Sequence, residues 1–189
     1  MIGRRLLGLA VLLGLVAVVL AVATPAGRSN DSGRFYIAML DDCDPRDPAW
    51  NMVGGCALRQ GDVTLAEFAG ENDSPLAAAV IGHQAWRNDP SYLEIHRGTT
   101  VAVRNDGGRV HTFTKVAAFG GGIAPNPALN EGLQTAPECP ASVNVLPGGS
   151  TRVSGLAVGN HRFMCCFHPW MRAMIKVKPG DGGGIVGGG

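Results

Sequence analysis

Residues 163–174 read FMCCFHPWMRAM. Adjacent cysteines, Cys165 and Cys166, are followed by His168 and Met171, and Met174 stands close behind. The run before them, NHRFM (160–164), alternates like a strand, and AMIKVKP (173–179) reads as a last strand. Neighbours on a strand point to opposite faces. Cys165 therefore shares a face with Phe163 and turns inward, whereas Cys166 turns away. Cys165-x-x-His168-x-x-Met171 is then a tight loop at a strand–loop–strand corner.

Working outward, period-two alternation runs back to about Ser91. SYLEI (91–95) alternates Leu93 and Ile95, and GTTVAVRND (98–106) alternates Val101 and Val103 before a turn at NDGG. VHTFTKV (110–116) sets His111 and Phe113 on one face, and SVNVLPGGSTRV (142–153) reads as two strands around a Pro-Gly-Gly turn. Six or seven such runs, in a chain with Gly 28 and Pro 12, predict an antiparallel all-β sandwich or barrel. Lys+Arg 16 against Asp+Glu 15, with no long basic run, argues against a nucleic-acid partner.

The N-terminal half is organised differently. Arg4 and Arg5 precede an uncharged apolar run from Leu6 to Ala23, followed by small residues. Residues 1–26 read as an export signal. At about 18 residues the run also approaches the length that spans a bilayer, so an uncleaved anchor is the alternative. Either reading places the remainder outside the cytoplasm. Residues 27–90 read as an extension: a strand at RFYIAML (34–40), a solvated acidic loop at DDCDPRDPAWNMVGGC (41–56), and two short helices. The first helix is DVTLAEFAGEN (62–72). The second is SPLAAAVIGH (74–83), with Ser74 as N-cap and Gly82 past its end. The acidic loop lacks the alternation of a calcium site. Residues 91–178 form the main β domain, and 179–189 a glycine-rich tail.

The chemistry lies in the loop. Cys165 supplies a thiolate, His168 an imidazole and Met171 a thioether, and His111 adds a second imidazole from another strand. Soft sulfur donors with borderline nitrogens suit copper over calcium or magnesium. Two His and one Cys make a trigonal set, and a distant thioether completes a type 1 (blue) copper site. Met174 is a rival axial ligand, but its place at the start of the last strand favours packing. Structural zinc has no use for Met. Five histidines without a His-x-His pair speak against a multicopper oxidase. His83, His96 and His161 are read as surface residues or supports around the site.

MCCFHPWMR (164–172) resembles the ligand loop of amicyanins, and NDGGRVHTFTKV (105–116) resembles the upstream histidine strand of plastocyanins and related bacterial cupredoxins. The resemblance runs over about 90–178. It implies a Greek-key β-sandwich, one bound copper ion held by His111, Cys165, His168 and Met171, and electron carriage without enzymatic activity. Two departures stand out. Phe167 replaces a proline of several relatives and keeps an N–H that can reach the thiolate sulfur. Thr112 stands where several have Asn. The alternative reading is copper storage, delivery or sensing with the same residues.

Of the five cysteines, four lie outside this set and allow three pairings. Cys43–Cys56, closing the acidic loop, and Cys139–Cys166, tying the long 117–141 loop to the ligand strand, are expected. Redox partners are expected to dock transiently near His168, with Trp170 either an exposed contact or packed into the sandwich end. The domain is expected to be monomeric and to touch a membrane only through an N-terminal anchor.

Overall fold

Val101 and Val103, the alternating pair of GTTVAVRND, are fully buried. They lie on the fourth of ten short strands in the computed structural model, which describes residues 35–72, 82–123, 130 and 133–180. The strands are β1 (Phe35–Leu40), β2 (Arg87–Asp89), β3 (Tyr92–His96), β4 (Val101–Asn105), β5 (His111–Thr112), β6 (Thr114–Val116), β7 (Asn144–Val145), β8 (Ser150–Val153), β9 (Gly159–Met164) and β10 (Arg172–Lys178). One sheet has the order β2-β1-β4-β8, another β3-β10-β9-β6, and β5 pairs with β7 alone. Ile37, Met39, Val101 and Val103 from the first sheet join Ile95, Phe163, Ala173, Ile175 and Val177 from the second in one core. The result is an all-β sandwich; β4 and β10 bury alternate residues, whereas β1 and β9 also bury neighbouring ones.

The sheets are mixed, not wholly antiparallel as the strand pattern predicts. β1 runs parallel to β4, and β3 runs parallel to β10. The cause is crossing between sheets: β3, which separates β2 from β4 in the chain, lies in the opposite sheet, so β4 returns beside β1 in the same direction.

The boundary at residue 90 also shifts. β1 and β2 sit inside the first sheet, with Ile37 and Met39 fully buried, so residues 35–40 and 87–89 belong to the sandwich itself. VHTFTKV is not one strand either. Its first half, β5, pairs with β7, and its second half, β6, pairs with β9. Phe113 marks the break and stacks on Phe163, with ring centroids 4.7 Å apart. Likewise, β7 and β8 pair with β5 and β4, not with each other.

Residues 41–72 and 82–86 fold across one end. A 3₁₀ turn at Pro48–Val53 is capped by the Asp47 carboxylate, which accepts from the Ala49 N–H. Helix α1 (Leu65–Glu71) begins with a reciprocal capping box between Thr64 and Glu67. Its one inward residue, Phe68, lies 5.6 Å from the Trp50 ring and 4.6 Å from the Trp86 ring. Replacing Phe68 with Ala should cost about 3 kcal/mol, the low end for a buried aromatic near the surface, as a lower urea midpoint at unchanged slope. The helix expected at Ser74–Gly82, the N-terminal signal or anchor and the tail beyond residue 180 lie outside the described residues.

Candidate metal centre

β9 ends at Met164, which pairs with Arg172 of β10, so residues 165–171 form the connection between adjacent antiparallel strands. The Cys165 N–H donates to the Met171 carbonyl at 3.0 Å, and the Met171 N–H donates to the His168 carbonyl at 2.8 Å. The Asn88 side-chain amide also donates to the Met171 carbonyl, at 3.0 Å. The loop backbone is thus closed on itself and pinned to β2. His111 comes from the other side on β5, where its pairing with Val145 sets its height.

Three donor atoms converge. Cys165 Sγ lies 3.7 Å from His111 Nδ1 and 3.6 Å from His168 Nδ1. The ligand atoms of these three residues all lie within 4.8 Å of one another. Bonds of about 2.0 Å to imidazole and about 2.3 Å to thiolate, spread at trigonal to tetrahedral angles, place nitrogen and sulfur about 3.5–3.7 Å apart. The observed triangle therefore fits a single first-row metal ion. Met171 is fully buried and belongs to the same core cluster as Cys165. Met174 alternates with the core residues Ala173 and Ile175 and is only partly buried, so it faces the outer side of β10 and not the core that its place at the start of the strand suggests.

The hydrogen bond to sulfur does not come from Phe167 as the missing proline suggests. The backbone donor found among the described residues is the Thr112 N–H, 3.4 Å from Cys165 Sγ. The Thr112 hydroxyl accepts from the Cys166 N–H at 2.8 Å, which straps the histidine strand to the ligand loop.

Asp41 is the residue that sequence reading missed. It was placed in a solvated acidic turn, yet its side chain is fully buried, and its Oδ2 accepts from His111 Nε2 at 2.8 Å. The Gly108 and Arg109 N–H groups also donate to it, each at 2.9 Å. A sequence signal existed in the paired glycines of NDGG. A Cβ added at Gly107 would collide with the Asp41 carboxylate, so this turn is shaped around it.

Burial pushes the Cys165 thiol up, but hydrogen bonds and charge from His111 and His168 hold it well below its ordinary value. Burial lowers His111, yet the Asp41 and Cys165 partners raise it to about 9. Burial keeps His168 below its ordinary value despite the thiolate beside it. These directions favour a thiolate at Cys165, a protonated His111 and a neutral His168 in the metal-free site.

His168 is 9% exposed and Trp170 7%. Phe68 meets the His168 ring edge-on at 6.3 Å, and Trp170 meets it at 5.5 Å. Trp170 is therefore packed into the sandwich end. Of the two places expected for His83, surface or support around the site, the structure gives the second: it is buried and stacked on Phe68, which meets the His168 ring. His96 and His161 bond to the Pro179 and Ala157 carbonyls, away from the cluster. Both expected disulfides are present, Cys43–Cys56 and Cys139–Cys166, and Cys165 is the free thiol. Cys139–Cys166 ties the 117–141 loop to the ligand strand, helped by the Ile123 N–H donating to the Cys166 carbonyl at 2.8 Å.

Two facing sheets with a His-Cys-His set gathered at one end decide the architecture. It is an all-β sandwich of two four-stranded sheets with a candidate metal centre. No family model matches the chain, and no curated protein matches it. Among solved structures, a novel purple cupredoxin from Nitrosopumilus maritimus is similar at 17% identity, over 76% of this chain and 99% of that one, with a TM-score of 0.41. A reduced Cu(I) amicyanin mutant is similar at 20% identity over 49% of this chain and 73% of its own, with a TM-score of 0.34. Another Cu(I) amicyanin mutant, at 18% identity, has the same coverage and TM-score. At scores this low the likeness carries no argument about function.

Proposed function

We propose that the chain is an extracytoplasmic electron carrier holding one type 1 copper ion through His111, Cys165, His168 and Met171, and not an enzyme. The observation that carries this reading is the buried convergence of two imidazole Nδ1 atoms on one thiolate sulfur at 3.7 and 3.6 Å. Copper bound there would supply a one-electron Cu(I)/Cu(II) couple. The chain's own part is rigidity and dryness. The loop hydrogen bonds, the Thr112 strap and the Cys139–Cys166 bridge hold the donors in place, so little rearranges between oxidation states. The aromatic rings of Phe68, Trp86 and Trp170 keep bulk water away. His168 is the donor ring nearest the surface, and a redox partner would reach it across the rim made by Phe68 and Trp170. Two disulfides together with the apolar N-terminal run support an oxidising compartment.

Copper-loaded protein should show an intense visible thiolate-to-copper band and reversible voltammetry. A colourless copper complex would overturn the reading. A coloured one with sluggish exchange would point instead to storage or delivery.

Proton release gives a further check. At pH 7 the His111 Nδ1 proton must leave before that nitrogen can bind metal, because its pKa is raised to about 9. The shifts at Cys165 and His168 both run toward the deprotonated form, so His111 is the main source of the released proton. About one proton per copper should be released at pH 7, measured with a pH indicator in weak buffer. Apparent affinity should rise about tenfold per pH unit and level off near pH 9.

A further inference from the structure

Asp41 follows directly on β1, while His111 is 70 residues further along the chain. The carboxylate between them is held from all sides. Oδ2 accepts from His111 Nε2 at 2.8 Å and from the Arg109 N–H at 2.9 Å. Oδ1 accepts from the Gly108 N–H at 2.9 Å and, at a longer 3.5 Å, from the Cys43 N–H. Three of the four donors are backbone groups, so the carboxylate cannot turn without losing them. The turn that presents them is itself tied to β1, because the Asp106 and Gly107 N–H groups donate to the Met39 carbonyl at 2.9 and 3.1 Å. The Arg109 guanidinium lies over the Trp50 ring at 5.0 Å and donates to the Gly55 and Val53 carbonyls, so it braces the turn from outside.

We propose that Asp41 is a positioning residue for the metal centre: it fixes His111 with Nδ1 toward the metal and sets a negative charge behind that ligand that favours Cu(II) over Cu(I). The inference rests on the copper reading above.

Two physical consequences follow from this geometry. A carboxylate can only accept, so Nε2 must carry the proton and Nδ1 is left with the lone pair. β5 is only two residues long, and its backbone pairing does not restrain rotation of the imidazole. The side-chain bond to Asp41 does. A carboxylate bonded to a ligand histidine also makes that histidine a stronger donor. Oxidation adds one positive charge to the metal, and a fully buried anion one ring away interacts with that charge through little water. Both effects lower the reduction potential.

The test is Asp41→Asn, which keeps the shape and removes the charge. Copper-loaded wild type and variant are compared by voltammetry and by visible and paramagnetic spectra. The ratio of Cu(II) to Cu(I) affinity should fall 10–100-fold in the variant, which at 59 mV per tenfold raises the potential by about 60–120 mV. A purely structural role would weaken both oxidation states alike and leave the potential in place, and that result overturns the proposal. Should the variant not fold, the wild-type Cu(I) protein still decides the matter. Nitrogen-15 NMR should show a slowly exchanging, hydrogen-bonded Nε2–H on His111, and a rapidly exchanging one would refute the assignment. If wild type takes up copper without colour, the copper reading fails. If it is coloured but Asp41→Asn leaves the potential unmoved, only the role of Asp41 fails.

Discussion

Cys165→Ser is expected to abolish the visible band of the copper-loaded protein while leaving the sandwich folded. The band requires a thiolate, and the sulfur of Cys165 stands at the apex of the donor triangle. Serine has nearly the same shape, but its hydroxyl does not ionise beside two imidazoles and is a harder, weaker donor for copper. His111 and His168 would remain as a two-nitrogen set. Copper affinity should fall by more than the roughly 10–100-fold typical of losing a hydrogen bond around a metal ligand. Core packing changes by one atom, and neither disulfide is touched, so the thermal midpoint of the metal-free protein should barely move. Absorption spectra with copper-to-protein ratios check the first point and calorimetry the second. A serine variant that keeps the band would remove Cys165 from the site.

The double variant Cys139→Ala/Cys166→Ala should show the reverse pattern, with colour kept and stability lost. Cys166 is the immediate neighbour of the ligand, but it faces a separate cluster of Val116, Ala136, Cys139 and Met164. Its bridge spans a sequence separation of 27. The chain-entropy argument for a loop of that size gives about 3–4 kcal/mol. For a domain of this length that corresponds to a drop in Tm of about 6–16 °C in the metal-free protein. Removing both cysteines avoids leaving a stray thiol that could oxidise with Cys165. The hydrogen bonds from Thr112 to Cys165 Sγ and from Cys166 to Thr112 involve no Cys166 side-chain atom, so the band position should be preserved. An unchanged Tm would show that the bridge is not formed in solution, and loss of the band would show that it positions the ligand as well.

The ligand loop was legible because its information is local. Cys165, His168 and Met171 lie within seven positions, and strand alternation alone separates Cys165 from Cys166. The same alternation found the buried faces of β3 and β4 and the inward side of Phe163 on β9, but not the face of β10, where Met174 points outward. It failed wherever the partner of a strand mattered more than its face. VHTFTKV keeps its period across Phe113 although the chain there leaves β7 for β9. RFYIAML reads as part of an extension because nothing local shows that its parallel neighbour is β4. Asp41 was assigned to water because acidic residues clustered with prolines usually face water. The burial that overrides this comes from a turn almost 70 residues away, with glycines at 107 and 108 leaving it room.

Taken alone, the order of residues determined the donor types, their spacing and the side of the strand each one faces, because these are local properties of an extended backbone. Only the tertiary structure decided what stands behind the donors: Asp41 on His111, the Thr112 N–H on the Cys165 sulfur, and Phe68 with Trp170 against His168. Those contacts depend on strand order and on how residues 41–72 and 82–86 pack against the sandwich, and a period of two residues holds no information about either.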